Sequence, residues 1–256
     1  MSNRFPRPSV MGIVNVTPDS FSDGGVHLDP VAAAAAARRM IEEGAAIVDI
    51  GGESTRPGHE PVSLDEELRR VVPVLERLAG IPVSIDTSKA EVARQALGLG
   101  AELVNDVTAL RGDARMAELV ADSGARVCLM HWDKVEDLTE VPRFLEERLG
   151  FAVEAGVHED RVLLDPGIGF GKTVAQNFEL LRRLDELTEL GRPVLVGFSR
   201  KSSLGRVLGD PQAKQGPLSA SIAAAVTAYE RGATILRVHD VREHVEALAV
   251  AAAVAG

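Results

Sequence analysis

One phrase recurs along this chain from Val10 onward: a short apolar run, a polar residue, a link rich in Gly, Pro or Ser, a helical pattern, and then a glycine that stops it. The stops are Gly44, Gly80, Gly100, Gly124, Gly156, Gly191 and Gly232. Each stands where the left-handed residue just past a helix is expected. Together with the run at 10–16, the segments after them predict eight strands, at 10–16, 46–50, 83–86, 103–105, 127–131, 162–165, 194–199 and 235–239. Their continuous Val, Ile and Leu content belongs to a parallel sheet covered on both faces. Eight units in 256 residues allow about 32 residues each, which suits a single-domain (β/α)8 TIM barrel over 1–256. An open doubly wound sheet is the alternative, but it usually carries a nucleotide-binding loop near its start, and none is found here.

Helix starts are marked too. Asp29-Pro30 reads as an N-cap with Pro in the first turn, and Ser63 to Glu66 and Ser88 to Glu91 read as capping boxes. Pro73 is expected to kink the second helix. The run from Ala32 to Ala37 reports helix propensity only, and 245–256 reads as a docking helix, well short of the ~20 apolar residues of a membrane span.

The stretch 163–173, Leu-Leu-Asp-Pro-Gly-Ile-Gly-Phe-Gly-Lys-Thr, predicts a buried strand that ends on Asp165, turns through three glycines and opens a helix at Thr173, with Gln176 completing a capping box. It is not a phosphate-binding P-loop, which needs glycine where Pro166 stands. Nor is it a dinucleotide fingerprint, because Gly167, Gly169 and Gly171 have the wrong spacing.

A formal charge of −10 and a pI near 5.2 argue against nucleic-acid or anionic-membrane partners, so an anionic substrate would need local positive charge. Only 4% of residues are aromatic, so the core should be aliphatic. Cys128 stands alone in an apolar run, which excludes an intrachain disulfide and fits a reducing cytoplasm. Two arginines and two prolines between Arg4 and Ser9 do not fit a signal peptide.

In a barrel, the strand ends share one mouth. Here they supply Asn15, Asp49, Asp86, Asn105 with Asp106, His131, Asp165, Ser199 with Arg200 and Lys201, and Arg237 with His239. Burying such groups without partners costs a few kcal/mol each, so they must satisfy one another or await a ligand. Asp49 reads as a tie between strands, and His131 equally as a core histidine or a site residue. His27, His59, His158 and His244 show no metal-ligand spacing and read as surface residues. Asp240, with Glu243 three residues on, reads as the cap of the last helix.

The segments at these ends are Asn15-Val-Thr-Pro-Asp-Ser-Phe-Ser-Asp-Gly-Gly25, Asp49-Ile-Gly-Gly-Glu-Ser-Thr-Arg-Pro-Gly58, Ser84-Ile-Asp-Thr87, Asn105-Asp106, Leu129-Met-His131, Asp165 to Lys172, Ser199-Arg-Lys-Ser202 and Arg237-Val-His-Asp240. Nearly end to end, they resemble the dihydropteroate synthase family of pterin-binding enzymes. The resemblance implies a transferase of folate biosynthesis that condenses 6-hydroxymethyl-7,8-dihydropterin diphosphate with p-aminobenzoate, giving 7,8-dihydropteroate and pyrophosphate, with Mg2+ as cofactor and a homodimer as the assembly. It implies pterin contacts from Asp86, Asn105, Met130, Asp165, Lys201 and Arg237. Diphosphate contacts would come from Asn15, Thr55, Arg56, Arg237 and His239, with Asn15 on the metal. For p-aminobenzoate it implies Phe21, Thr55, Pro57, Phe170, Lys201 and Ser202. The catalytic set would be Asn15, Arg56, Lys201, Arg237 and His239, with the loops 17–25 and 53–58 closing over the diphosphate. It also implies a dissociative path, the diphosphate leaving before the arylamine attacks.

The residue types suit those roles. Carboxylates and amides accept from pterin ring N–H groups, and an Arg fork bonds or stacks on a flat ring and reaches phosphate oxygens. An arylamine is a free base at neutral pH, so no strong general base is demanded. Two other readings are a methyltetrahydrofolate-binding methyltransferase barrel and a non-catalytic pterin-binding paralogue. The Ser-Arg-Lys-Ser segment and the two loops speak against the first, since a methyl donor has no diphosphate to grip. The segment between His131 and Asp165 is shorter than this family leads one to expect, and Trp132 there could stack or pack on the fifth helix.

Overall fold

The computed structural model describes residues 4–17, 29–54 and 61–256. Eight parallel strands make one sheet: β1 Ser9–Asn15, β2 Ile47–Gly51, β3 Val83–Asp86, β4 Leu103–Asp106, β5 Arg126–Met130, β6 Val162–Asp165, β7 Leu195–Val196 and β8 Ile235–Val238. Their order is β6-β5-β4-β3-β2-β1-β8-β7. A single parallel bridge, Leu164 to Val194, with Leu164 N donating to Pro193 O at 3.0 Å, sets β6 beside β7 and closes the barrel. The open-sheet alternative falls there.

The helices are α1 Pro30–Glu42, α2 Leu64–Leu75, α3 Ala90–Gly98, α4 Met116–Ser123, α5 Glu140–Glu154, α6 Val174–Arg182, α7 Asp185–Thr188, α8 Ser202–Val207, α9 Leu218–Glu230 and α10 Val241–Ala255. Asp29 caps α1 by accepting from Val31 N, and Thr173 and Gln176 form the reciprocal box at α6. All seven glycine stops lie at positive φ, between 63° and 105°. The last helix docks on α9 and β1.

Some expectations are corrected. Ser88 does not cap α3, which starts at Ala90 with its N–H donated to Asp113 Oδ2 at 3.1 Å. Nor does Asp240 cap α10; its carboxylate is taken by Arg200. His244 is fully buried, not on the surface, with Nδ1 2.6 Å from Asp240 O. His158 is exposed, as expected, while His27 and His59 lie outside the described residues. Pro73 lies inside α2, two residues before its end at Leu75. Strand β7 keeps only two of the residues expected at 194–199, because the chain leaves the sheet at Gly197, and α7 and α8 were not foreseen.

Side chains along a strand alternate between two faces. One face of each strand packs against the helices in the larger apolar cluster. The other meets inside the barrel, where Met11, Ile47, Leu103, Cys128, Leu163, Leu195 and Ile235 form a second cluster with Phe5. Burial of each such side chain contributes roughly 1.5–3 kcal/mol. Phe5 seals the N-terminal end; Arg4 lies over its ring at 4.6 Å and donates to Glu102 and to Ala46 O. The barrel therefore has a greasy floor at its N-terminal end.

Candidate active site

Two residues further along the same inward face, chemistry replaces packing. Ile47 is followed by Asp49, Leu103 by Asn105, Cys128 by Met130, Leu163 by Asp165 and Ile235 by Arg237. The same alternation puts Asn15 and Asp86 on that face, with Ser199 and His239 just beyond β7 and β8. A period of two thus gathers, over one floor, residues that the sequence spreads from Asn15 to His239.

Arg237 is the hub. Its Nε donates to Asp49 Oδ2 at 2.7 Å and its Nη2 to Asp86 Oδ2 at 2.8 Å. Asp49 Oδ2 also accepts from Asn105 Nδ2 at 2.9 Å, so Asp49 ties β2 to β4 and β8, as the sequence led us to expect. Asp49 Oδ1 and Asp86 Oδ1 are buried without a hydrogen-bond partner. Burial pushes the Asp86 carboxyl up to about 7; Arg237 opposes this, and Asp49 and Glu67 add to it. Burial alone would lower the Arg237 guanidinium, but Asp49 and Asp86 together hold it above its ordinary value. Asp165 is raised by burial, against the Gly167 N–H it accepts at 2.7 Å and the nearby Lys201, Arg237 and Lys172 cations.

The three-glycine turn after β6 is required by close approach. A Cβ on Gly167, at φ +70°, would lie 1.8 Å from His131 O, and one on Gly169, at φ +83°, would lie 2.8 Å from Lys201 Cδ. The turn therefore lies flat on the ends of β5 and β7. Above it, Lys201 Nζ sits 3.9 Å over the Phe170 ring, which is 4.9 Å from Trp132. Trp132 thus stacks on this loop. Lys172 Nζ donates to His131 O at 2.8 Å and lies 2.7 Å from His131 Nδ1. Burial, aided by Lys172, lowers His131 to about 4, and burial lowers Lys172 to about 7. His131 is therefore a satisfied, neutral histidine.

On the opposite flank, Ser199 Oγ lies 3.1 Å from His239 Nδ1 and accepts from His239 N at 3.2 Å. Asn15 Oδ1 and Asp86 face each other across Gly51, where a Cβ would lie 3.8 Å from the first and 3.4 Å from the Asp86 Cβ. Ser202 opens α8 beside Lys201. Asp106 does not join the cluster; it turns the chain by accepting from Thr108 N and Leu110 N, each at 2.8 Å. Of the predicted site residues, Phe21, Thr55, Arg56 and Pro57 lie outside the described residues. The others, Asn15, Asp86, Asn105, Met130, Asp165, Phe170, Lys201, Ser202, Arg237 and His239, all belong to the rim or the layer beneath it.

Two features escaped the sequence reading. Lys172 was given no role, although it is the one cation in the turn after Asp165. Lys89 bridges Glu53 and the fully buried Glu67, which joins the exit of β2 to α2. Neither partner choice follows from local periodicity.

What this cavity can do is bind a flat, donor-rich ring among acids while cations face whatever anion it carries. Similarity to known proteins points the same way. The family model described as pterin binding enzyme matches residues 11–239. The dihydropteroate synthase of Escherichia coli strain K12 is 46% identical over 257 residues, covering 95% of this chain and 90% of that protein. The Xanthomonas albilineans dihydropteroate synthase solved with 4-aminobenzoic acid superposes with a TM-score of 0.90 at 51% identity, over 98% of this chain and 94% of that one. The Yersinia pestis enzyme in a sulfonamide drug complex gives 0.91 at 46% identity, over 97% and 94%.

Proposed function

This chain belongs to the dihydropteroate synthase family of pterin-binding enzymes, and from that premise we infer that it is the transferase that joins 6-hydroxymethyl-7,8-dihydropterin diphosphate to p-aminobenzoate, a step of folate biosynthesis. The observation that carries the pocket is Arg237 held between two buried carboxylates whose remaining oxygens, Asp49 Oδ1 and Asp86 Oδ1, lack partners. An amino-pyrimidinone edge offers N–H groups of the kind those oxygens accept, and each hydrogen bond favours the ionised carboxylate. Asn105, Asp165 and Met130 complete the floor of the ring's slot, and Lys201 donates to the ring acceptors.

In the reaction, the bond from the pterin methylene carbon to the diphosphate oxygen breaks and its electron pair leaves with pyrophosphate. The arylamine nitrogen then bonds to that carbon and gives up a proton. Charge grows on the leaving oxygens, so the catalytic need is for preorganised cations, and Arg237, His239 and Arg56 are our candidates. Asn15 is our candidate metal ligand. Its amide oxygen is a hard donor suited to Mg2+, and among the described residues no group of three or more His, Cys, Asp or Glu could hold a metal. An ion held there would supply charge neutralisation at the diphosphate. Phe170 and Ser202, with Phe21, Thr55 and Pro57, would frame p-aminobenzoate.

No helix among the described residues is long and apolar enough to cross a membrane. A cytoplasmic homodimer through the outer helices completes the proposal, and light scattering at micromolar concentration tests the dimer. The deciding experiment is pyrophosphate release, expected only with both substrates and Mg2+ present. Rates equal to the blank would leave the non-catalytic paralogue standing instead. A sulfonamide should displace p-aminobenzoate, as the Yersinia pestis complex leads us to expect; titration without displacement refutes the pocket.

A further inference from the structure

We propose that the ion pair between Arg200 and Asp240 is a positioning device: it fixes Lys201 relative to His239 and so sets the grip on the pterin diphosphate. The proposal rests on the functional reading above for what Lys201 and His239 touch. Its geometry stands by itself. Strand β7 is two residues long and meets β6 through one bridge, so the sheet itself does little to anchor the segment carrying Lys201. That segment is held from outside the sheet. Arg200 adopts φ +56°, a left-handed backbone that a non-glycine residue keeps only where its surroundings over-determine it. Arg200 N donates to Ser221 Oγ at 3.0 Å, and Arg200 O accepts from Gly216 N at 3.3 Å.

The side chain then reaches the next loop, with Nε donating to Asp240 Oδ2 at 3.0 Å and Nη2 to Oδ1. Glycine would meet the backbone requirement at less strain, so what arginine adds at 200 is this fork. A bidentate pair that is part-buried constrains both partners more than a solvated one does. Asp240 follows His239 directly, and His239 itself is bonded to Ser199. Two adjacent crosslinks, 199 to 239 and 200 to 240, therefore lock the β7 and β8 loops in register.

The test compares Arg200→Gly, Arg200→Lys, Asp240→Asn and the Gly/Asn double variant with the wild type. Arg200→Gly removes the fork and relieves the left-handed strain, so its thermal midpoint should hold. We expect kcat/KM for the pterin diphosphate to fall roughly ten- to hundredfold in Arg200→Gly and Asp240→Asn, as for a displaced binding group. The double variant should be no worse than either single one, Arg200→Lys should recover part of the loss, and the effect should lie in the pterin KM more than in that of p-aminobenzoate. Wild-type kcat/KM in Arg200→Gly, or a double variant whose loss is the product of the singles, overturns the proposal. Amide hydrogen exchange at 199–203 and 237–240 reads the lock without turnover: faster exchange in both single variants is expected, and unchanged exchange overturns it. Absent turnover in the wild type instead overturns the functional reading.

Discussion

Arg237 on β8 and Asp86 on β3 meet at 2.8 Å, Nη2 to Oδ2, although two other strands separate β8 from β3 in the sheet. The bond spans the interior of the barrel. It makes the guanidinium a structural counter-ion as well as a proposed substrate ligand.

Arg237→Met should therefore harm more than turnover. It would leave the Asp49 and Asp86 carboxylates buried beside each other without their cation. A loss of about 3–5 kcal/mol is expected, seen as a thermal midpoint lower by roughly 10 °C. A calorimetric shift of only about 2 °C would mean the two acids have other means of compensation.

Asp86 and Lys172 predict opposite pH limbs. Asp86 is raised from 3.8 to about 7, so the folded state holds its proton longer and the stability it adds is lost as pH rises from about 4 to 7. Lys172 is lowered from 10.5 to about 7, so the unfolded state holds more protons above 7 and stability rises from there toward 10.5. Each limb can amount to at most about 1.4 kcal/mol per pH unit. Urea unfolding from pH 5 to 10 should show the falling limb shrink in Asp86→Asn, with Asp165 supplying what is left, and the rising limb shrink in Lys172→Met. Parallel curves for variants and wild type would contradict both assignments.

The glycines of the turn should separate fold from function. A methyl at Gly167 meets the backbone carbonyl of His131, which holds Lys172 and adjoins the bond from His131 N to Asp165 O, so Gly167→Ala should be the more destabilising of the two variants. At Gly169 the obstacle is the Lys201 stem, which can swing away. Gly169→Ala should fold with a loss of about 1–3 kcal/mol from the strained φ and lose most turnover as Lys201 is displaced. Circular dichroism and pyrophosphate release on both variants check this, and an active Gly169→Ala enzyme refutes it.

Lys201→Ala is the contrasting case. Its ammonium rests on the Phe170 ring at the rim, a contact of about 0.5–1 kcal/mol at an accessible site. The barrel should stay folded by circular dichroism while turnover collapses. Wild-type rates would show that this cation does not meet the substrate.

The barrel was legible because its signals are local. Each glycine stop marks a helix end by itself, and an apolar run followed by Asp165 or Asn105 marks a strand and its rim residue. The inner polar layer follows once a period of two is laid over eight such runs. What stayed hidden depends on partners chosen across loops. Asp240 has the spacing of a cap, but Arg200 reaches it first. His244 sits in an exposed-looking run, yet α10 turns it inward to the carbonyl of Asp240. Strand β7 looked six residues long because Val194 to Ser199 is apolar enough to pair, whereas the left-handed turn at Arg200 takes its last residues out of the sheet.

The Phe5 stopper has a kinetic consequence. A chamber sealed below is a cul-de-sac: whatever lies deepest must enter first and leave last, and every other molecule must pass through the same doorway. If traffic through such a site is a queue, a molecule lodged at the entrance should slow the escape of whatever lies beneath it.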